Sequence, residues 1–256
     1  MLRRILRLPF ALFLAIAYLL LGLLLGILPL PRAAKRKIQV RLVRFFTTLL
    51  LIFFHIKLEI SGFNPVFKKQ TLFILANHLS YVDIFILSSL LPTAFITSKE
   101  MIKTPLGQFA LLGGSTFVER RDVSGLFKEI AHLCSILKGG TSLTLFPEAT
   151  TGDGKKLLPF KTALLKAAIK SQTPLLPVVI QYKTLNRKEL GTNNKDLVFY
   201  YGNMKFLPHI WQFLKIKSLI VTLDFLPIIP ISNHLSRKAL SEDIFESMQA
   251  LYRPII

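Results

Sequence analysis

Apolar positions are distributed in two different ways along this chain. Between Leu8 and Leu30 nearly every residue is Leu, Ile, Ala, Phe or Gly, and a second, shorter apolar run extends from Leu42 to Ile56. At ~1.5 Å per residue the first run is long enough, as a helix, to cross a hydrocarbon core of ~30 Å. Beyond Ile56 short β-rich stretches alternate with helical ones, the pattern of an α/β domain. Predicted strands are Lys57 to Ile60, Thr71 to Ala76, Ala94 to Thr97, Thr116 to Glu119, Ser142 to Phe146, Leu175 to Gln181, Leu197 to Tyr201 and Leu219 to Phe225. Predicted helices are Ser80 to Leu90, Val123 to Leu137 ending on Gly139-Gly140, Lys161 to Lys170, and Lys238 to Leu251. The expected architecture is a mixed twisted sheet flanked by helices, with a hydrophobic, membrane-binding helical segment in front. The expected division is residues 1–56 for that segment and 57–256 for one α/β domain, with no internal repeat.

Charge sharpens the first half of this picture. The chain carries 33 Lys and Arg against 14 Asp and Glu, a formal charge of +19. No acidic residue occurs before Glu59, whereas Arg3, Arg4, Arg7, Arg32, Lys35, Arg36, Lys37, Arg41, Arg44 and Lys57 bracket the apolar runs. Such a balance calls for an anionic partner. A nucleic acid is disfavoured, because the basic residues border segments that water would reject and no zinc-finger, RNP-like or helix-turn-helix pattern is found. A bilayer fits. The first run is too long for a signal-peptide core, and its Pro29-Leu30-Pro31-Arg32 exit lacks a small-residue cleavage site. Two arrangements stay open: a spanning helix, or a hairpin in one leaflet with both ends in the cytoplasm. The shortness of the second run favours the hairpin. Cys134 stands alone, so it supports neither an intramolecular disulfide nor a metal cluster, and helix packing is its expected role.

Candidate chemistry begins at ANHLSYVDIF, Ala76 to Phe85. In a continuous helix His78 and Asp83 would point about 140° apart and would not meet. They meet if His78 lies in the turn before the helix, with Ser80 as N-cap and Asp83 in the first turn. The aspartate would then fix the imidazole tautomer and leave the other ring nitrogen as a base toward a hydroxyl. The same residues also read as a capping box, in which Asp83 merely satisfies helix amides. Downstream, LFPEATTGDG places Glu148, Thr150 and Thr151 in a Gly-rich turn followed by Lys155, Lys156 and Lys161, a set able to hold a phosphate and equally able to form a solvated loop. Arg120, just past a predicted strand, is a further candidate anion contact. His55, His132, His209 and His234 have no partner motif; the first ends an apolar run, the second falls in a helix, and the last two fall in predicted loops.

Four blocks in this order resemble the glycerolipid acyltransferase family that contains the 1-acyl-glycerol-3-phosphate acyltransferases. They are Asn77-His78 with Asp83, Phe117-Val118-Glu119-Arg120, Phe146-Pro147-Glu148-Ala149-Thr150, and Leu176-Pro177-Val178-Val179. The resemblance implies a membrane-associated O-acyltransferase without a cofactor, and no His/Cys/Asp cluster in the sequence has the spacing of a metal site. It implies transfer of a fatty acyl group from a thioester on coenzyme A or acyl carrier protein to the free hydroxyl of a lysophospholipid, at the cytoplasmic face of the inner membrane if the source is bacterial. His78 would be the general base and Asp83 its support. Asn77, Lys99, Arg120, Glu148, Thr150, Thr151 and Lys161 would bind substrate. Two departures bear on the acceptor: Ala149 stands where the family has Gly, and Thr151 where the common FPEGTR form has Arg, removing a bidentate phosphate partner. The TTGDGKKLLPFK stretch resembles lyso-ornithine-lipid acylating relatives, so that acceptor is the alternative to 1-acyl-glycerol-3-phosphate. A hydrolase using the same pair lacks a GxSxG elbow; a noncatalytic lipid-binding protein of the same fold is the reading from another class.

Overall fold

In the computed structural model, which describes residues 2–119, 125–231 and 236–256, both N-terminal runs are helices and they form one hairpin. Helix α1 spans Leu2–Ile27 and α2 spans Arg32–Phe53. The second helix begins at Arg32 rather than at Leu42, because Ala, Lys, Arg and Gln are strong helix formers whether or not they are apolar. Pro29 and Pro31 interrupt the chain between them, and Pro31 sits at the N-cap of α2, where a missing N–H costs nothing. Contacts step through the hairpin in opposite directions: Phe10 stacks on Phe53 at 3.8 Å, Tyr18 meets Phe46 edge-on at 5.6 Å, and the Lys35 ammonium donates to the Gly26 carbonyl at 2.7 Å. One stripe of α1, including Leu14, Tyr18 and Leu25, is buried, while Leu12, Phe13, Ile16, Leu20, Leu24 and Ile27 remain exposed. By length and composition, Ile5–Ile27 is apolar enough to cross a membrane. Buried Arg7 fastens the start of this helix by donating to the carbonyls of Phe54 and Ile216.

Eight strands among the described residues build one sheet. They are β1 (Ile56–Ser61), β2 (Phe73–Ala76), β3 (Thr93–Ser98), β4 (Thr116–Val118), β5 (Ser142–Leu145), β6 (Leu175–Leu185), β7 (Lys188–Glu189) and β8 (Leu219–Phe225). Their order is β1-β8-β6-β2-β5-β3-β4, with β7 a short hairpin extension of β6. From β6 to β4 all neighbours are parallel; β8 turns antiparallel to β6, and β1 pairs parallel with β8. The central strands are apolar on both sides because both sides are covered. Ile74, Ala76, Val178 and Ile180 face a core that includes α3 (Val82–Leu90), and Phe73, Leu75, Leu143 and Val179 face α5 (Leu126–Lys138), α6 (Leu165–Ser171) and α8 (Arg237–Leu251). Cys134 packs on α5 as expected, its thiol donating to the Ala167 carbonyl at 3.4 Å.

Some elements differ from the expectation. Leu197 to Tyr201 is not a strand: Lys195–Leu197 forms a 3-10 turn, after which Val198 and Phe199 are fully buried. Strand β6 already has β2 on one side and β8 on the other, so this apolar stretch fills the core instead of joining the sheet. Helices α4 (Pro105–Leu112) and α7 (Phe206–Phe213) were not anticipated, each being only eight residues long. A local signal for α4 exists, since Thr104 caps it by accepting from the Gly107 amide at 3.1 Å and Pro105 occupies the first turn. His209 lies within α7, buried, rather than in a loop. Helix α6 begins at Leu165 rather than Lys161, and the expected start of α5 at Val123, like His234, lies outside the described residues.

Strands β2, β5, β3 and β4 end on one edge of the sheet, so the residues that follow them gather there. Parallel α/β sheets carry their ligand sites on this carboxyl edge.

Candidate active site

Strand β2 hands over to the candidate site through Asn77. Its side chain continues the ladder with β6 by imitating a peptide: the amide nitrogen donates to the Ile180 carbonyl at 2.9 Å and its oxygen accepts the Ile180 N–H at 2.7 Å. Asn77 is completely buried, so it fixes the loop and does not face a substrate, contrary to the role expected of it.

The next residues wrap around Asp83. One carboxylate oxygen accepts from His78 Nδ1 at 3.0 Å, from the Leu79 N–H at 2.7 Å and from the Ser80 N–H at 2.8 Å. The other accepts the Tyr182 hydroxyl at 2.6 Å. The capping and the histidine-orienting readings are thus both realised by the same side chain, although not as drawn from the sequence. Helix α3 begins at Val82 with Tyr81 at its N-cap; the Asp83 carboxylate reaches back to the preceding amides, and Ser80 Oγ accepts forward from the Val82 N–H at 3.4 Å. Burial and the adjacent Asp83 charge push the Tyr182 hydroxyl well above its usual range, keeping it a donor. Nothing in the sequence pointed to Tyr182, which enters from β6 across the sheet.

His78 is held on every side but one. Its N–H donates to Glu148 at 2.8 Å, its carbonyl accepts from the Gly152 N–H at 2.8 Å, and its ring stacks on Phe146 at 3.8 Å with planes 7° apart. With Nδ1 on Asp83, only Nε2 lacks a partner among the described residues, and the side chain is 17 % exposed while Asp83 is 0 % exposed. This is the geometry of an oriented base facing outward.

Glu148 follows β5 and has a different task from the substrate contact expected of it. It is buried, and its two oxygens accept backbone N–H groups from His78 (2.8 Å) and Leu158 (3.0 Å). It therefore staples the 148–158 loop to the histidine loop. Burial pushes its carboxyl up to about 7, with the charge of Asp83 contributing to the rise and the two N–H donors opposing it. Ala149 adopts φ +59°, the left-handed conformation that suits glycine. The same loop is tied farther along by Lys195, missed at the sequence level, which is buried and donates to the Asp153 carbonyl at 2.6 Å.

Thr150 and Lys161 are exposed and Thr151 is half-buried, and among the described residues neither the hydroxyls nor the Lys161 ammonium is engaged. Lys99 follows β3 and pairs with Glu129 at 2.7 Å. Glu129 also accepts the Glu119 N–H at 3.3 Å, beyond β4. With strands ~4.8 Å apart, Lys99 and Glu119 stand roughly 10 and 14 Å along the edge from His78. Arg120 lies outside the described residues. The fourth block, Leu176 to Val179, is buried within β6, and its Val178 pairs with Ala76. No group of three or more His, Cys, Asp or Glu is gathered that could hold a metal ion among the described residues.

Comparison with known proteins bears directly on this edge. A family model described as Acyltransferase matches residues 57–181. A 1-acyl-sn-glycerol-3-phosphate acyltransferase of Neisseria gonorrhoeae is 30% identical over 200 residues, covering 77% of this chain and 74% of the relative. A lyso-ornithine lipid O-acyltransferase of Brucella abortus is 29% identical over 219 residues, covering 82% and 81%. The crystal structure of the 1-acyl-sn-glycerophosphate (LPA) acyltransferase PlsC from Thermotoga maritima shares the fold, with a TM-score of 0.68 at 22% identity over 98% of this chain and 96% of that one.

Proposed function

Because this chain belongs to the acyltransferase family, we propose that it transfers a fatty acyl group from a thioester, on coenzyme A or acyl carrier protein, to the free hydroxyl of a lysophospholipid. The acceptor in this reading is 1-acyl-glycerol-3-phosphate and the product phosphatidic acid. The supporting observation is the outward-facing His78 ring nitrogen, left without a partner when Asp83 takes the other. Nε2 removes the proton of the acceptor hydroxyl as its oxygen attacks the thioester carbonyl. The tetrahedral intermediate collapses by breaking the C–S bond, and the departing sulfur takes the proton back from the imidazolium. The buried Asp83 carboxylate stabilises the imidazolium between these steps and holds the tautomer that begins the next. No cofactor takes part; the thioester is a co-substrate.

In this reading Lys99, Arg120, Thr150, Thr151 and Lys161 meet the acceptor's polar head along the carboxyl edge. Asn77 and Glu148 act through the loops they fasten. The hairpin of residues 1–56 lies in one leaflet through the apolar face of α1, the cytoplasmic leaflet of the inner membrane if the source is bacterial, and residues 57–256 carry the chemistry. A second acceptor, lyso-ornithine lipid, is favoured by Thr151, which has no guanidinium to pair with a phosphate.

The test uses the full chain in detergent, wild type and His78→Ala, with acyl-CoA or acyl carrier protein thioester, each against lysophosphatidate, other lysophospholipids and lyso-ornithine lipid. Diacyl product from the wild type, reduced about 10²–10⁴-fold by the substitution, is expected. Equal product from both proteins removes the base assignment. A wild type inactive with every pair supports a lipid-binding role instead.

A further inference from the structure

The opposite edge of the sheet carries a second feature that acyl transfer does not use. Where β2, β3 and β5 begin, a cavity of about 190 Å³ is walled by Lys37 and Arg41 from α2, by Lys68 and Lys69 from the turn before β2, and by Gln70 and Thr71. No acidic residue lines it, and none of the four cations is in an ion pair among the described residues. Lys68 rests 5.3 Å from the Phe63 ring, and the Gln70 amide nitrogen is buried with no acceptor among the described residues. Four uncompensated positive charges around one cavity, with a buried donor waiting beside them, define a site for an anion. Phosphate, with several acceptor oxygens, matches that set.

The surroundings indicate where the phosphate comes from. On α2, beyond its first turn, the exposed positions are Lys37, Ile38, Arg41, Phe45 and Ile52. At 100° per residue, Ile38, Phe45 and Ile52 form one row within roughly 40°, between the side that meets α1 and the side bearing Arg41 and Lys37. Passing around the helix, one therefore meets α1 with its exposed apolar face, then an apolar row, then the cations, then the cavity. That gradient is the one found from acyl chain to headgroup. An acidic carrier protein is poorly served here, because from Thr71 to His78 at ~3.3 Å per residue the reacting centre is about 23 Å away at the other end of β2.

We propose that this cavity binds the phosphate of an anionic phospholipid headgroup, seating the non-catalytic edge of the domain on the bilayer that α1 enters. The proposal rests on the cavity and on the apolar face of α1, and is independent of the role given to His78. The test measures partition of the full chain into vesicles of phosphatidylcholine alone and of phosphatidylcholine with one third phosphatidylglycerol, at low ionic strength. The wild type should prefer the anionic vesicles. Each cation near such a surface contributes about fivefold, so K68Q/K69Q should lower that partition by roughly 25-fold while binding neutral vesicles like the wild type, which also checks its fold. K166Q/K170Q on α6 removes the same charge elsewhere and should keep most of the preference. If both double variants lose it equally, or if K68Q/K69Q loses nothing, the site is overturned. Competition by millimolar inorganic phosphate that binds the lipid-free protein and abolishes the preference would assign the cavity to a soluble phosphate and overturn the headgroup.

Discussion

Asp83 and Glu148 are both buried carboxylates on the same edge of the sheet, and each accepts backbone N–H groups from the histidine loop, yet they do different things. Asp83 adds two side chains to its partners, the Tyr182 hydroxyl and His78 Nδ1. Glu148 has none, and both of its oxygens face rigid peptide donors from His78 and Leu158. A carboxylate joined to a ring that can take a proton can serve the reaction; one joined only to amides serves the loop. What separates the two is the partner, since residue type and burial are nearly the same.

The two roles separate when each carboxyl is neutralised without changing its shape. Asp83→Asn can keep its oxygen toward the Leu79 and Ser80 amides and turn its NH₂ to Tyr182, whose hydroxyl can rotate to accept. The fold should then survive while the charge behind the imidazolium is gone. Product formation is expected to fall about 10²–10⁴-fold with little change in melting temperature. Glu148→Gln has no such escape, because one amide N–H must face the new NH₂ group. It should lose about 1–3 kcal/mol of stability and far less activity than Asp83→Asn, measured at a temperature where both are folded. Equal activity losses in the two variants would mean that Glu148 shares in the chemistry.

The two carboxyls also differ in how stability depends on pH. The Glu148 carboxyl moves from 4.5 up to about 7 on folding. The folded chain therefore holds this proton more tightly than the unfolded chain does. The resulting stability is complete below the unfolded value and is lost as the pH rises through the folded one, by about 3 kcal/mol at most. Thermal stability of the wild type should fall across this window, and that of Glu148→Gln should be flatter, so the deficit of the variant narrows as the pH rises. The smallest effect concerns the next residue. Ala149 sits at φ +59°, and Ala149→Gly should raise the stability by about 1 kcal/mol, read by denaturant or thermal unfolding.

Local pattern made most of this legible. The run Phe73 to Ala76 is apolar at every position and forms β2 with both faces covered, as alternating apolar and polar positions on β8 form a strand beside the sheet's edge. The same logic misreads Leu197 to Tyr201, whose residues suit a strand but find no free edge of β6 to join. At the site, the five-residue spacing of His78 and Asp83 suggested their pairing, and the turn after β5 suggested a neighbour for it. The pattern did not reveal that Asn77 spends both ends of its amide on Ile180, or that Glu148 spends both oxygens on backbone amides. Tyr182, Lys195 and the cavity of Lys37, Arg41, Lys68 and Lys69 were equally silent.

Periodicity and spacing along the chain were enough for the two apolar runs at the N-terminus, the alternation of strands and helices, and which loops carry titratable groups. Which of those groups is free was set by the folded chain. A side chain's role depends on the donors and acceptors within about 3 Å of it, and for His78, Asp83 and Glu148 several of those arrive from strands and loops far away in the sequence.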